Sequence, residues 1–157
     1  MALSLQPVRH APSDSALADV LDLIRESFAY MDGRIDPPSS MLRLTVEDVA
    51  RHCETGEVWS LGLPPLACVF LTPRADNLYL GKLAVSAGQR RRGLAGQLVE
   101  LAVARALELG LPALELQTRV ELVENHATFA RLGFVQTGET AHPGYDRATS
   151  ITMRRLV

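Results

Sequence analysis

Aromatic side chains are scarce in this chain, at 5% of residues, so its core must rest on Leu, Val and Ala. The scarcity also leaves no aromatic cluster for stacking nucleic-acid bases. Neither sign of charge is in excess: 16 Lys and Arg face 18 Asp and Glu, a formal net charge of −2 that gives no global attraction to nucleic acid or to an anionic membrane. Only Cys53 and Cys68 carry thiols, without metal-ligand spacing around them, so both are expected as buried thiols and no metal site is expected. No apolar run reaches the length of a membrane span, and Met1 to Pro7 lacks the basic start and apolar stretch of a leader, which points to a cytoplasmic protein. The nucleotide signatures Gly-x-x-x-x-Gly-Lys-Ser/Thr and Gly-x-Gly-x-x-Gly are missing, as are repeats and low-complexity segments.

What is present is a normal share of hydrophobic residues, 47%, in 157 residues, enough for one full core and hence one domain over 1–157. The most informative stretch is Leu78 to Val85, an apolar strand, followed by Gln89-Arg90-Arg91-Arg92-Gly93-Leu94-Ala95-Gly96 and an amphipathic helix from Leu94 to Leu109. Glycine at 93 lets a ligand approach the backbone, and the first helical turn leaves N–H groups without partners. Those donors, the positive end of the helix dipole and three adjacent arginines suit a small polyanion such as a pyrophosphate.

The remaining order is legible from periodicity and punctuation. Leu5 to His10 reads as a strand, and a helix follows with Ser13 or Asp14 as its N-cap and Leu17, Val20, Leu21, Ile24 and Phe28 on one face. After a proline-bearing loop through Asp36-Pro37-Pro38, Thr45 and Asp48 form a capping box for a helix that buries Val46, Val49, Ala50 and Cys53. Val58 to Leu63 and Leu66 to Leu71 make a hairpin around Pro64-Pro65. The long helix should bury Leu94, Ala95, Leu98, Ala102, Ala106 and Leu109, turn Gln97, Glu100, Arg105 and Glu108 to water, and stop at Gly110. Then come a strand at Ala113 to Thr118, a helix at Asn125 to Leu132, and strands at Phe134 to Thr137 and Ser150 to Met153.

The spacing Arg90-x-x-Gly93-x-Ala95 resembles the acyl-CoA pyrophosphate signature of the GNAT superfamily of N-acyltransferases, and Asn125-His126-Ala127-Thr128-Phe129-Ala130-Arg131-Leu132-Gly133-Phe134 resembles the family's later segment. The resemblance implies an α+β fold with αβα layers: a mostly antiparallel sheet of about seven strands with one splayed parallel pair, flanked by about four helices. It implies acetyl-CoA as co-substrate, its pyrophosphate on Arg90, Arg91, Arg92, Gly93, Leu94, Ala95 and Gly96, and its pantetheine arm paired with the backbone of Leu83, Ala84 and Val85. Asn125 would lie near the pantetheine and the Phe129 ring near the thioester. The acceptor would be an amine of a small molecule or peptide, and a homodimer is possible.

Acyl transfer to an amine needs a neutral amine, a stabiliser for the developing oxyanion and a proton for the departing thiolate. Many family members use a tyrosine as the acid; here that position is Phe129. Tyr145 and Tyr30 are alternative acids, as is water. Glu115 is the first candidate base, because the strand position that often carries a glutamate holds Tyr79. The four histidines form no constellation, and surface or capping roles are expected for them. Tyr30, Asp36, His142 and Asp146 are candidates for contact with the acceptor, since the loops that carry them border the acceptor side in this family, and acidic groups there would suit a cationic amine. A silent acyl-CoA-binding module is the rival reading, motivated by Phe129.

Overall fold

The computed structural model describes residues 5–157, so residues 1–4 of the stretch read for a leader lie outside the described residues. In chain order the elements are β1 (Pro7–Arg9), α1 (Leu17–Ala29), α2 (Val46–Thr55), β2 (Glu57–Leu61), β3 (Ala67–Pro73), β4 (Leu78–Val85), α3 (Leu94–Leu109), β5 (Ala113–Arg119), α4 (Val123–Arg131), β6 (Val135–Thr140) and β7 (Ser150–Leu156). Short 3-10 turns cover Ser40–Arg43 and Ala87–Gln89. One seven-stranded sheet runs β1-β2-β3-β4-β5-β7-β6, and every neighbouring pair is antiparallel except β4 with β5.

Strand alternation assigns the two faces. Ala67, Val69 and Leu71 of β3 pack with Leu98, Val99 and Ala102 of α3, while Cys68 and Phe70 pack with Val20 and Ile24 of α1 and Val49 of α2. The sheet therefore lies between helical layers, the α+β architecture expected. Met31 and Ile35, in the loop after α1, pack on Leu122 just before α4 and close one end of the molecule. No described helix is long and apolar enough to cross a membrane.

The capping box forms as the residue types dictate: Thr45 Oγ1 accepts from the Asp48 amide at 3.2 Å and Asp48 Oδ2 accepts from the Thr45 amide at 3.0 Å. Other expectations need correction. Asp14 does not cap α1; the N-cap is Ala16, whose amide donates to Asp14 Oδ1, so the aspartate shapes the preceding turn. Asp14 also pairs with His10, a buried histidine that bonds Ser60 at its other nitrogen and is neither a surface nor a capping residue. Val46 and Leu109, expected inside, are exposed because each stands at the end of its helix, where the apolar stripe runs off the sheet. Cys68 is buried and burial pushes its thiol up to about 12, whereas Cys53 is only partly buried. The last helix begins at Val123, two residues before Asn125.

Arg105 is the most consequential correction. It turns from water into the protein, where its Nε and Nη2 donate to the buried Glu57 carboxylate at 2.8 and 2.6 Å, and Trp59 Nε1 donates to the same carboxylate at 2.8 Å.

Candidate acyl-transfer site

The parallel pair at the sheet centre is paired for only two residues. Leu78 faces Leu114 and Tyr79 faces Glu115, and beyond them β4 and β5 diverge. On its other side β4 stays paired with β3, but with a bulge: Cys68 faces Ala84 and Phe70 faces Gly81, so Lys82 and Leu83 share one partner. Lys82 takes a positive φ of 50°, which turns its side chain off the regular alternation. The splay opens a cleft of about 320 Å³, lined by Tyr79, Lys82 and Leu83 from β4, Gln117 and Arg119 from β5, and Asn125 and Phe129 from α4. The end of α1 and its following loop roof it through Phe28, Met31 and Ile35.

The turn after β4 carries the second half of the site. Arg90, Arg91, Arg92 and Gly93 are exposed, and among the described residues none of the three arginines pairs with a carboxylate. Gly93 is the N-cap of α3 in the left-handed region, φ 79° and ψ 12°, and no side chain caps the helix. Among the described residues the sixteen-residue α3 thus starts without a side-chain cap on its first-turn amides, directly after three arginines in the chain, and these residues fit a diphosphate. Arg90 also lies over the Tyr30 ring, 4.8 Å from its centroid, with Arg34 at 5.5 Å. A broader, almost wholly apolar depression of about 550 Å³ lies beside the same helix start, lined by Leu61, Gly96 and Leu132. Gln97 and Glu100 are the polar side chains among its lining residues.

Of the residues singled out from sequence, Leu83, Asn125, Phe129 and His142 line the cleft. Phe129 packs edge-on to Phe134, with ring centroids 5.8 Å apart. Ala84 is buried against the α1–α2 face, and the Val85 carbonyl accepts from Ser27 Oγ at 3.1 Å. The other candidates stand apart. Glu115 is held between Arg74 and Arg154, at 3.6 and 3.5 Å, and is not part of the cleft lining. Tyr145 donates its hydroxyl to Asp36 Oδ1 at 2.6 Å, and Arg147 donates to Asp36 Oδ2 at 3.1 Å. This cluster ties the proline loop to the β6–β7 connection, and the hydrogen bond to Asp36 holds the Tyr145 phenol above its ordinary range. Asp146 is exposed.

The cleft also contains residues that the sequence reading passed over. Tyr79 was noticed only as the replacement for a glutamate, yet it lines the cleft, and burial raises its phenol. Lys82 could have been found as the one charged residue in an otherwise uncharged strand.

A model of the acetyltransferase (GNAT) family matches residues 19–134, which include the splayed strands, the arginine-glycine turn and α4. The chain belongs to the GNAT family of acetyltransferases. Solved acetyltransferase structures share the fold at low identity. The PaiA N-acetyltransferase of Thermoplasma acidophilum, in complex with coenzyme A, is 12% identical with a TM-score of 0.81, and the match covers 99% of this chain and 100% of that one. A GNAT family acetyltransferase of Elizabethkingia anophelis with acetyl-CoA bound is 15% identical with a TM-score of 0.69 over 98% of both chains. An acetyltransferase of Streptococcus agalactiae is 15% identical with a TM-score of 0.76 over 98% of both. No curated protein matches this sequence.

Proposed function

We propose that this GNAT protein is an N-acetyltransferase that moves an acetyl group from acetyl-CoA to an amine of a small molecule or peptide, by direct attack in a ternary complex. The observation that carries the reading is the continuity of two features: a splay between β4 and β5 that leaves strand edges open, and the uncapped arginine-glycine start of α3 immediately after β4. Acetyl-CoA supplies a thioester open to attack by a neutral amine. The open edge of β4 offers an extended arm the hydrogen bonds a further strand would make, and the α3 amides and Arg90 to Arg92 offer its diphosphate fixed donors and positive charge. The bulge at Lys82 and Leu83 leaves backbone N–H groups off the ladder beside the cleft, suited to a developing oxyanion.

The surroundings of Glu115 and Tyr145 do not support proton transfer by either, since both are engaged outside the cleft. We therefore infer that the amine enters in its neutral fraction and that water carries the proton away. A thiol with a pKa of about 8.5 is a tolerable leaving group without a dedicated acid. Phe129→Tyr is accordingly expected to change the turnover number by less than about threefold. A gain of tenfold or more would instead show that thiolate protonation limits the wild-type rate.

The function is tested by titrating the purified protein calorimetrically with acetyl-CoA, then following thiol release across a panel of amines and peptide N-termini. Binding with turnover is expected. Binding with no turnover on any amine would favour the silent module that Phe129 motivates, and absence of binding would sink both readings.

A further inference from the structure

Among the described residues the cleft is lined by Lys82, Arg119 and His142 and by no carboxylate. Lys82 is the chain's one lysine, against fifteen arginines, and it is held in the cleft by the strand bulge, its Nζ 5.2 Å from the centre of the Phe70 ring. Among the described residues no carboxylate lies within ion-pair distance of it, and burial pulls its ammonium below the ordinary range while Asp48, at the start of α2, works weakly the other way. Arg119 is the second cation. Its Nη1 and Nη2 donate to the carbonyls of Pro37 and Pro38 at 2.7 and 3.4 Å, which position the guanidinium but do not neutralise it. Glu121 and Asp36 act on Arg119 electrostatically but, among the described residues, neither is in ion-pair contact with it. Asp36 is held by Tyr145 and Arg147, and Glu121 Oε2 by the Asp36 amide and Arg147, while the buried Glu121 Oε1 has no hydrogen-bond partner. Apolar side chains make up much of the remaining wall, with Met31, Ile35 and Leu122 buried.

Half-buried cations with no carboxylate in ion-pair contact are costly unless a ligand supplies further negative charge. The acetyl-CoA phosphates do not do so, because the donors suited to them lie at Arg90 to Gly96. We propose that the acceptor is an amine that also bears a carboxylate, with an apolar body of amino-acid size, and that Lys82 and Arg119 receive the carboxylate. The inference rests on the acetyl-transfer reading above and names its substrate class. It also replaces the expectation that Asp36 would attract a cationic amine, since that carboxylate is already paired.

The test uses two probes of equal size that differ in charge, N-acetyl-L-leucine and N-acetyl-L-leucinamide, titrated into the CoA-loaded protein. The acid should bind at least about tenfold more tightly. In Lys82→Met or Arg119→Gln the preference should fall below about threefold. Because the chain has one lysine, protein labelled with 13C-lysine reports Lys82 as a single side-chain signal, which should shift with the acid and not with the amide. An amide that binds as well as the acid, an acid that fails to bind, or a preference that survives in both variants overturns the proposal. The parallel acetyl-CoA titration separates the two failures: normal uptake with no acid preference sinks this inference alone, and lost uptake in the wild type sinks the acetyl-transfer reading beneath it.

Discussion

Gly93→Val should weaken acetyl-CoA binding by at least about 100-fold, the loss of one or two charge-assisted hydrogen bonds. Gly93 sits at φ 79°, in the left-handed region, and is the residue from which α3 starts. A β-branched side chain is costly there, by about 1–3 kcal/mol, and the turn relieves that cost by rotating its peptide planes. Rotation takes the first-turn N–H groups off a shared anion. The strain also affects the free protein, so thermal unfolding should be measured beside the calorimetric titration. The expected result is a folded variant, modestly less stable, with binding lost over the accessible range. Unchanged affinity would mean that the anion is held somewhere other than this turn.

Arg105→Ala is expected to be the most destabilising single change outside the site, at about 3–5 kcal/mol, because it strands a buried carboxylate. Glu57 is 4% exposed and receives two bonds from Arg105, one from Trp59 and a longer contact from Arg9 at 3.9 Å. Burial alone would push the Glu57 carboxyl up, but the hydrogen bonds from Arg105 and Trp59 outweigh it and hold the group below its ordinary 4.5. The sign of the pH dependence follows. A carboxylate with a depressed folded value stabilises the protein above 4.5, and that contribution disappears as the pH falls through the folded value. Denaturant unfolding of wild type and Arg105→Ala should therefore differ most at neutral pH and converge in acid. Pairing Arg105→Met with Glu57→Leu should recover most of the loss, since two apolar groups leave no charge uncompensated. A loss below about 1 kcal/mol at neutral pH would show that Trp59 and Arg9 suffice to hold Glu57.

The two predictions draw on different kinds of legibility. The Gly93 turn could be read from the chain because its chemistry is local: a glycine, adjacent arginines and the helix they open all lie within one stretch. The same holds for the Thr45–Asp48 box and for the alternation that divides Val69 from Cys68 and Phe70. Arg105 was misread because helical periodicity places it on the wet face, and the partner that draws it inward is 48 residues away on β2. Glu115 and Tyr145 have the same difficulty. Their types suit acid–base chemistry, but their partners Arg74, Arg154 and Asp36 come from distant parts of the chain. Lys82 needed the bulge as well, a feature of strand register that no window on β4 alone reveals. The arginine-glycine turn is written in contiguous residues, whereas the cleft is assembled from separate segments of the chain.

The most direct test of the account is a crystal structure of the protein with acetyl-CoA. It should place the diphosphate oxygens within hydrogen-bonding distance of the backbone amides between Arg92 and Gly96, and the thioester in the cleft between β4 and β5, beside Leu83 and Phe129. A diphosphate bound away from the start of α3, or a thioester outside that cleft, would contradict it.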